Sequence, residues 1–328
     1  MIKGHFAPFI HSEKNAPFIY INVLIALIPC IVLAVVYYGL RALCLLFLSQ
    51  ALFFFFDYAF SRLFRSKTIN RDYIDISSVI SGTIFALLLP PDTSVDVVIM
   101  GVLFGSLVIK QLSGGVGTNL MNPAIASRLF VSIVIPGKLS GFSEPLDNFF
   151  KLDTLIDFTG RHSSMGDTAR IYAVEVLAGN FATFIGIGSG IAVLIGAFYL
   201  LFKRIVRGYA FFGYVIGIIL FYPVLHITDF INGGGFRAFV VFILTSGVLF
   251  IAIYALGDFT TMPMNPLMRL IASFVCAVLT VIIYEKVDPI TGLCAPVLLT
   301  NIATPTIDYY LGTLTHKEIR NKKAGDAL

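Results

Sequence analysis

The stretch KQLSGGVGTNLMNPAIASR, residues 110–128, carries the densest set of groups able to do chemistry. Gly114, Gly115 and Gly117 free the backbone for positive φ and for close approach of a ligand. Thr118, Asn119 and Asn122 add short polar side chains, and Lys110 and Arg128 flank the whole. Pro123 stands where the first turn of a helix tolerates a missing N–H. Such N–H groups and amides suit the edge of a planar polar ring such as an isoalloxazine, with the cations stabilising a reduced anion. The same residues also suit a tight turn between two helices, with Asn as the cap. A Gly-rich turn alone does not decide between the two.

Other polar residues are sparser. Arg128 falls a few residues into an apolar run. A buried arginine there needs a partner or a task, whereas one that snorkels to the membrane face needs neither; both readings stay open. Asp258, Thr260 and Thr261 in YALGDFTTMPMNP form a second polar knot. His162 and His226 stand without neighbouring ligands, which makes metal binding a poor reading of either. Cys30, Cys44, Cys276 and Cys294 lie in or beside apolar runs with no CxxC, and are expected to be small buried hydrophobes. With no P-loop, GxSxG or HExxH, hydrolysis and nucleotide-triphosphate chemistry find no support.

The elements that position these groups must be membrane helices. The chain has 328 residues, 57% hydrophobic and 13% charged, with mean hydropathy +0.89. A soluble domain carries about 25% charged residues, and half of that would not cover a water-exposed surface. The lipid bilayer is therefore the expected surrounding. The basic residues form no stripe with interleaved aromatics, so nucleic acid is not an expected partner. The N-terminal MIKGHFAPFIHSEKNAP lacks the shape of a cleavable signal peptide.

About 20 apolar residues cross the hydrocarbon core as a helix. Ten spans are predicted: 18–37, 42–60, 74–90, 95–112, 121–136, 185–202, 209–227, 238–256, 267–284 and 289–310. The third to fifth are short, and Gly101, Gly105 and Pro123 interrupt that region; broken spans often line a site near the midplane. Lys and Arg gather in SRLFRSKTINRD, KRIVRG and HKEIRNKK, which ten crossings place on one side. The positive-inside rule makes that side, and both termini, cytoplasmic. The predicted architecture is all-α and polytopic: two inverted five-helix halves, transporter-like. It divides into a first half (1–136), an extracytoplasmic loop (137–184), a second half (185–310) and a basic cytoplasmic tail (311–328). MNP recurs at 121–123 and 264–266, but both copies fall on the cytoplasmic side. An inverted repeat would separate them, so the recurrence is read as coincidence or as a shared capping device.

The segment SGTIFALLLPPDTSVDVVIMGVLFGSLVIKQLSGGVGTNLMNPAIASRLF, 81–130, resembles the D subunits of the Rnf ion-translocating ferredoxin:NAD oxidoreductases. These are related to the B subunits of sodium-pumping NADH:quinone oxidoreductases. The likeness continues in APFIHS (7–12), YYGLRAL (37–43), AGNFATFIGIGSG (178–190), FYLLFKRI (198–205), GDFTTMP (257–263) and VLLTNIATPTID (297–308).

The resemblance implies two inverted five-helix halves and two flavins. One is FMN joined through its phosphate to a threonine of a motif resembling Asp-x-x-Ser/Thr-Gly-Ala-Thr on the outer face. The other is a non-covalent riboflavin or FMN in the membrane part, for which 110–128 is the expected pocket. In HSSMGDT, Gly166 and Thr168 match the motif, while His162, Met165 and Asp167 depart from it. A charge at Asp167 beside the phosphodiester costs about 1 kcal/mol at 4 Å in water, which Arg161 and Arg170 can offset. The alternatives at Thr168 are a lost outer flavin or one held without a bond.

The implied function is a subunit, not catalytic alone, that passes electrons between flavins across the inner (cytoplasmic) membrane, coupled to Na⁺ or H⁺ movement. Other membrane and peripheral subunits, with iron–sulfur clusters and flavins, are its expected partners. The rival readings are a component of a quinone-reducing pump and a non-redox small-solute channel of similar fold.

Overall fold

A computed structural model describes residues 16–64, 76–114, 119–139, 183–206, 208–258 and 260–325. Thr168, Gly115, Gly117 and Thr118 lie outside the described residues, as does most of the 137–184 loop.

Every regular element described is helical. The first, α1 (Ala16–Phe64), has 49 residues. Straight, it would run about 74 Å, more than twice the hydrocarbon thickness of roughly 30 Å. Gly39 resolves this: its φ of 63° and ψ of −146° are open to glycine alone, and the chain turns there into a second arm. The helices α2 (Ile76–Leu87), α3 (Val95–Leu103) and α4 (Pro123–Val134) follow, with a π-helical stretch Phe104–Gln111 continuing α3. Then come α5 (Gly190–Phe202), α6 (Gly208–Leu225), the short α7 (Ile227–Ile231) and α8 (Gly235–Thr245). The chain bends 53° around Gly247 into α9 (Val248–Phe250) and a second π-helical stretch, Ile251–Ala255. Last are α10 (Pro266–Lys286) and α11 (Pro289–Gly325).

Among the described residues, four helices are long and apolar enough to cross a membrane, five when the bent α8–α9 pair is one span. The chain is thus a polytopic, all-helical membrane protein. Large apolar side chains face outward, among them Leu40, Phe47, Phe198 and Phe202, as a lipid-facing surface requires. Inside, α6 and α10 approach closely through small residues. A Cβ at Gly213 would lie 2.4 Å from the Leu270 carbonyl oxygen, and one at Gly217 would lie 2.6 Å from Ala277 Cβ.

Several predicted spans are helical over only part of their length. The helix α2 has 12 residues, about 18 Å, because Pro90 and Pro91 cannot continue it. Its last carbonyls must still be satisfied, since no water reaches them in a bilayer. The segment 183–187 does this: Gly186 N–H donates to Leu87 O at 2.8 Å and Ile185 N–H to Leu89 O at 3.0 Å. Residue 186 must be glycine, because a Cβ there would stand 2.4 Å from Leu87 Cβ.

Ion pairs mark one end of the bundle. Arg41 Nη1 meets Asp92 Oδ1 at 2.6 Å, and Lys138 pairs with Asp96. The Gly39 turn, the start of α3 and the end of α4 therefore share that end. The starts of α1, α2 and α4 share the other. Three cysteines are buried as expected, but Cys44 is exposed; it falls on the outward face of the second arm of α1.

Candidate functional site: a cleft between two Asn-Pro turns

The two MNP segments build matching corners. Asn122 Oδ1 accepts from Ala124 and Ile125 N–H at 3.1 and 3.4 Å, and Pro123 opens α4. Asn265 Oδ1 accepts from Leu267 and Met268 N–H at 2.9 and 3.3 Å, and Pro266 opens α10. Both are N-caps followed by a proline whose missing N–H is harmless. Each corner is entered through π-helix, Phe104–Gln111 in one case and Ile251–Ala255 in the other. Such turns recur at functional sites.

The corners meet over Asn301 of α11, which is fully buried. With the amide turned so that both its ends are satisfied, its nitrogen donates to the Val297 and Thr261 carbonyls, each at 3.2 Å, and its oxygen accepts from Asn122 N–H at 3.1 Å. Beside this junction a cleft of about 80 Å³ opens among the starts of α1 and α2, both turns and the end of α5. Asn119, Asn122 and Pro123 line it from one turn, and Gly257, Asp258 and Thr260 from the other. Asp258 Oδ1 accepts from Thr260 N–H at 2.9 Å and Thr260 Oγ1–H at 2.7 Å. Burial pushes the Asp258 carboxyl above the ordinary carboxylate range, and the Thr260 hydrogen bonds oppose it.

Two buried polar atoms at this junction lack partners among the described residues: Asn119 Oδ1, on the cleft, and Thr261 Oγ1. An unmade buried hydrogen bond costs about 1–3 kcal/mol, so Asn119 Oδ1, which faces the cleft, has an acceptor to offer a ligand. Asn119 Oδ1 is an acceptor that suits an imide-type N–H, the donor found on the pyrimidine edge of an isoalloxazine. In donor chemistry, this wall of the cleft suits such an edge.

The flanking residues of 110–128 go elsewhere. Gly114, at φ 105°, makes the turn out of the π-helix. Lys110 lies fully buried behind the cleft wall. Its Nζ donates to Asp57 Oδ2 at 2.6 Å, Ser78 Oγ at 2.8 Å and Ser77 Oγ at 2.9 Å. Asp57 also accepts from the Ser78 and Ser106 hydroxyls and, at 3.4 Å, from Gln111 Nε2. Arg128 is 1% exposed and does not snorkel. Its Nε donates to Leu88 O at 2.7 Å, and its guanidinium lies 5.3 Å from the centre of the Phe184 ring. It holds the broken end of α2, with Nη1 buried and unbonded among the described residues.

Sequence reasoning missed Asp57, Ser77, Ser78, Ser106 and Asn301. Asp57 reads as a residue near a span end. The usable signal was an acid and a lysine each alone in an apolar run, with hydroxyls between them in sequence.

Fold and cleft together define a polytopic membrane protein with broken helices around a polar interior site. The chain matches the NQR2, RnfD, RnfE family over residues 4–316 and belongs to it. It is 26% identical over 324 residues to the D subunit of the Na⁺-translocating ferredoxin:NAD⁺ oxidoreductase complex of Acetobacterium woodii, covering 98% of this chain and 97% of that one. It is 23% identical to the D subunit of the ion-translocating oxidoreductase complex of Actinobacillus succinogenes, over 94% of this chain and 96% of the relative. A partial likeness, 33% over 146 residues and 36% of the relative, joins it to the B subunit of the Na⁺-translocating NADH-quinone reductase of Haemophilus influenzae.

Proposed function

We propose that this chain is the D subunit of an ion-translocating ferredoxin:NAD oxidoreductase complex of the Rnf type. The observation that carries the reading is the end-to-end likeness to two D subunits of such complexes, at 98% and 94% of this chain. The quinone-reductase likeness covers 43% of this chain, which favours the Rnf form. The protein sits in the cytoplasmic membrane with its partner subunits. Ten crossings in two inverted halves put both termini in the cytoplasm and the 137–184 loop outside. The two arms of α1 and the shared ends of α3 and α4 support the first five.

Asn119 and Asn122, with Thr260 on the facing turn, would hold a non-covalent riboflavin or FMN in the cleft. Bound there, it supplies transfer of electrons one or two at a time. The chain's own part is to bind its edges, exclude water and set the charge beside it. A second flavin, FMN, is esterified to Thr168 outside.

Purification of the complex tests the assignment. Iron–sulfur and NAD-binding subunits should accompany the chain, and acid extraction should release a non-covalent flavin. Denaturing mass spectrometry should show an FMN increment that vanishes in Thr168→Val. A chain isolated alone, with no flavin in any state, would support the channel reading instead. Co-purification with a quinone-reducing assembly would support the B-type reading.

A further inference from the structure

The helix α5 ends in a turn that glycine normally makes. Arg204 N–H donates to Leu201 O at 3.0 Å and Ile205 N–H to Leu200 O at 3.0 Å, the paired bonds that close a helix through one left-handed residue. That residue is Arg204, at φ 52°, where a side chain meets a steric cost that glycine escapes. Among the described residues, no other non-glycine has a positive φ. Leu200 and Ile205 line the cleft, while Lys203 and Arg204 are exposed. The turn therefore has an inner apolar side and an outer charged one.

The outer side continues the lipid-facing surface of α5. Phe198 and Phe202, one turn apart, are 72% and 78% exposed, and their rings stack with centres 6.0 Å apart. Lys203 follows, its Nζ 5.8 Å from the centre of the Tyr199 ring. Tyr199 is anchored to α1, its hydroxyl donating to Asn22 Oδ1 at 2.7 Å. Apolar rings thus run along the helix, and two cations stand where the chain leaves the bilayer. We propose that this edge of α5 binds an anionic phospholipid, with the headgroup phosphate on Lys203 and Arg204 and an acyl chain along Phe198 and Phe202.

Two features fit this role better than a bare topology signal or a protein contact. The positive-inside rule asks for cations near a span end, but for none at the residue that closes the helix, where glycine is easier. Arg204 keeps a charge there against the backbone preference. An acidic protein surface could also meet Lys203 and Arg204, but it has no use for Phe198, a full turn inside the apolar part of α5; a lipid reaches both. Each Lys or Arg near a membrane surface attracts anionic lipid by about fivefold in occupancy, the equivalent of ~1 kcal/mol. Binding is by charge and apolar contact alone, and it does not depend on a flavin.

The test uses the intact complex in phosphatidylcholine nanodiscs. These are doped with phosphatidylglycerol or phosphatidylcholine carrying a photoreactive diazirine on one acyl chain. After illumination, peptide mapping reads the label on residues 190–206. The phosphatidylglycerol probe should label this segment about tenfold more than the phosphatidylcholine probe. Arg204→Gly should lower the phosphatidylglycerol label about fivefold. Because glycine suits the turn, the same variant should melt no lower than wild type, which separates the charge from the fold. Lys203→Gln, outside the left-handed position, should lower the label by a similar factor and leave labelling at the outward Phe212 of α6 unchanged. Equal labelling by the two probes, or a label undiminished in both variants, would overturn the proposal. No label from either probe would place a partner protein over this edge and would overturn it as well.

Discussion

The amide of Asn301 joins Asn122 to Thr261: its oxygen takes the Asn122 N–H at 3.1 Å while its nitrogen reaches the Thr261 carbonyl at 3.2 Å. One side chain of α11 thereby ties together two corners more than 130 residues apart in sequence (122 and 261). In Asn301→Leu both backbone groups lose their partner in a dry interior. At about 1–3 kcal/mol for each unmade bond, the variant should melt at a clearly lower temperature in detergent. Asn301→Asp, which keeps the acceptor but not the donor, should fall between. A Leu variant as stable as wild type would mean that the corners do not depend on this link.

The contact of Gly186 with Leu87 predicts a steric cost. Gly186→Ala puts a methyl 2.4 Å from Leu87 Cβ and strains the 2.8 Å hydrogen bond that closes α2. Overpacking of this kind costs about 1–3 kcal/mol. Pairing the substitution with Leu87→Ala should recover part of the loss. Thermal melts of the four proteins in a double-mutant cycle would measure the coupling.

The two asparagine caps make a paired comparison. Each of Asn122→Ala and Asn265→Ala removes a cap of about 1 kcal/mol. Asn122 also lines the cleft. Both variants should lose similar stability, but only Asn122→Ala should lower flavin content, measured by absorbance after extraction. Equal flavin in both would move the pocket away from the first corner.

Asn119 separates binding from folding. Its Oδ1 has no partner among the described residues, so Asn119→Leu should leave the melting temperature of the flavin-free chain unchanged or raise it. The same variant should weaken flavin retention by about tenfold or more, the worth of one lost bond near 1.4 kcal/mol. A variant that retains flavin fully would count against Asn119 as a contact.

Much of this was legible in the chain itself. Composition and hydropathy decide a membrane protein, because a bilayer accepts only helices or closed barrels and the apolar runs are of helical length. The Asn-Pro corners were legible too, since capping is local: an asparagine, the proline after it and the next two N–H groups suffice. The positive φ at Gly114 belongs with them. The helical extent of the short spans was less so. The prolines at 90 and 91 announce a break in α2, but not which segment satisfies the exposed carbonyls.

Pairing is what only the tertiary structure decided. Asp57 and Lys110 are 53 positions apart, and nothing in either flank says that one faces the other. Arg128 reads equally as a snorkelling or a buried residue until Leu88 and Phe184 are placed around it. Asn301 is one amide in an apolar helix until two distant turns arrive at its ends. The sequence determined which residues could not rest unpaired in a dry interior. The choice of partner depended on which helix faces meet, and those faces are fixed by close packing between small residues and broken helix ends, contacts that no local pattern encodes.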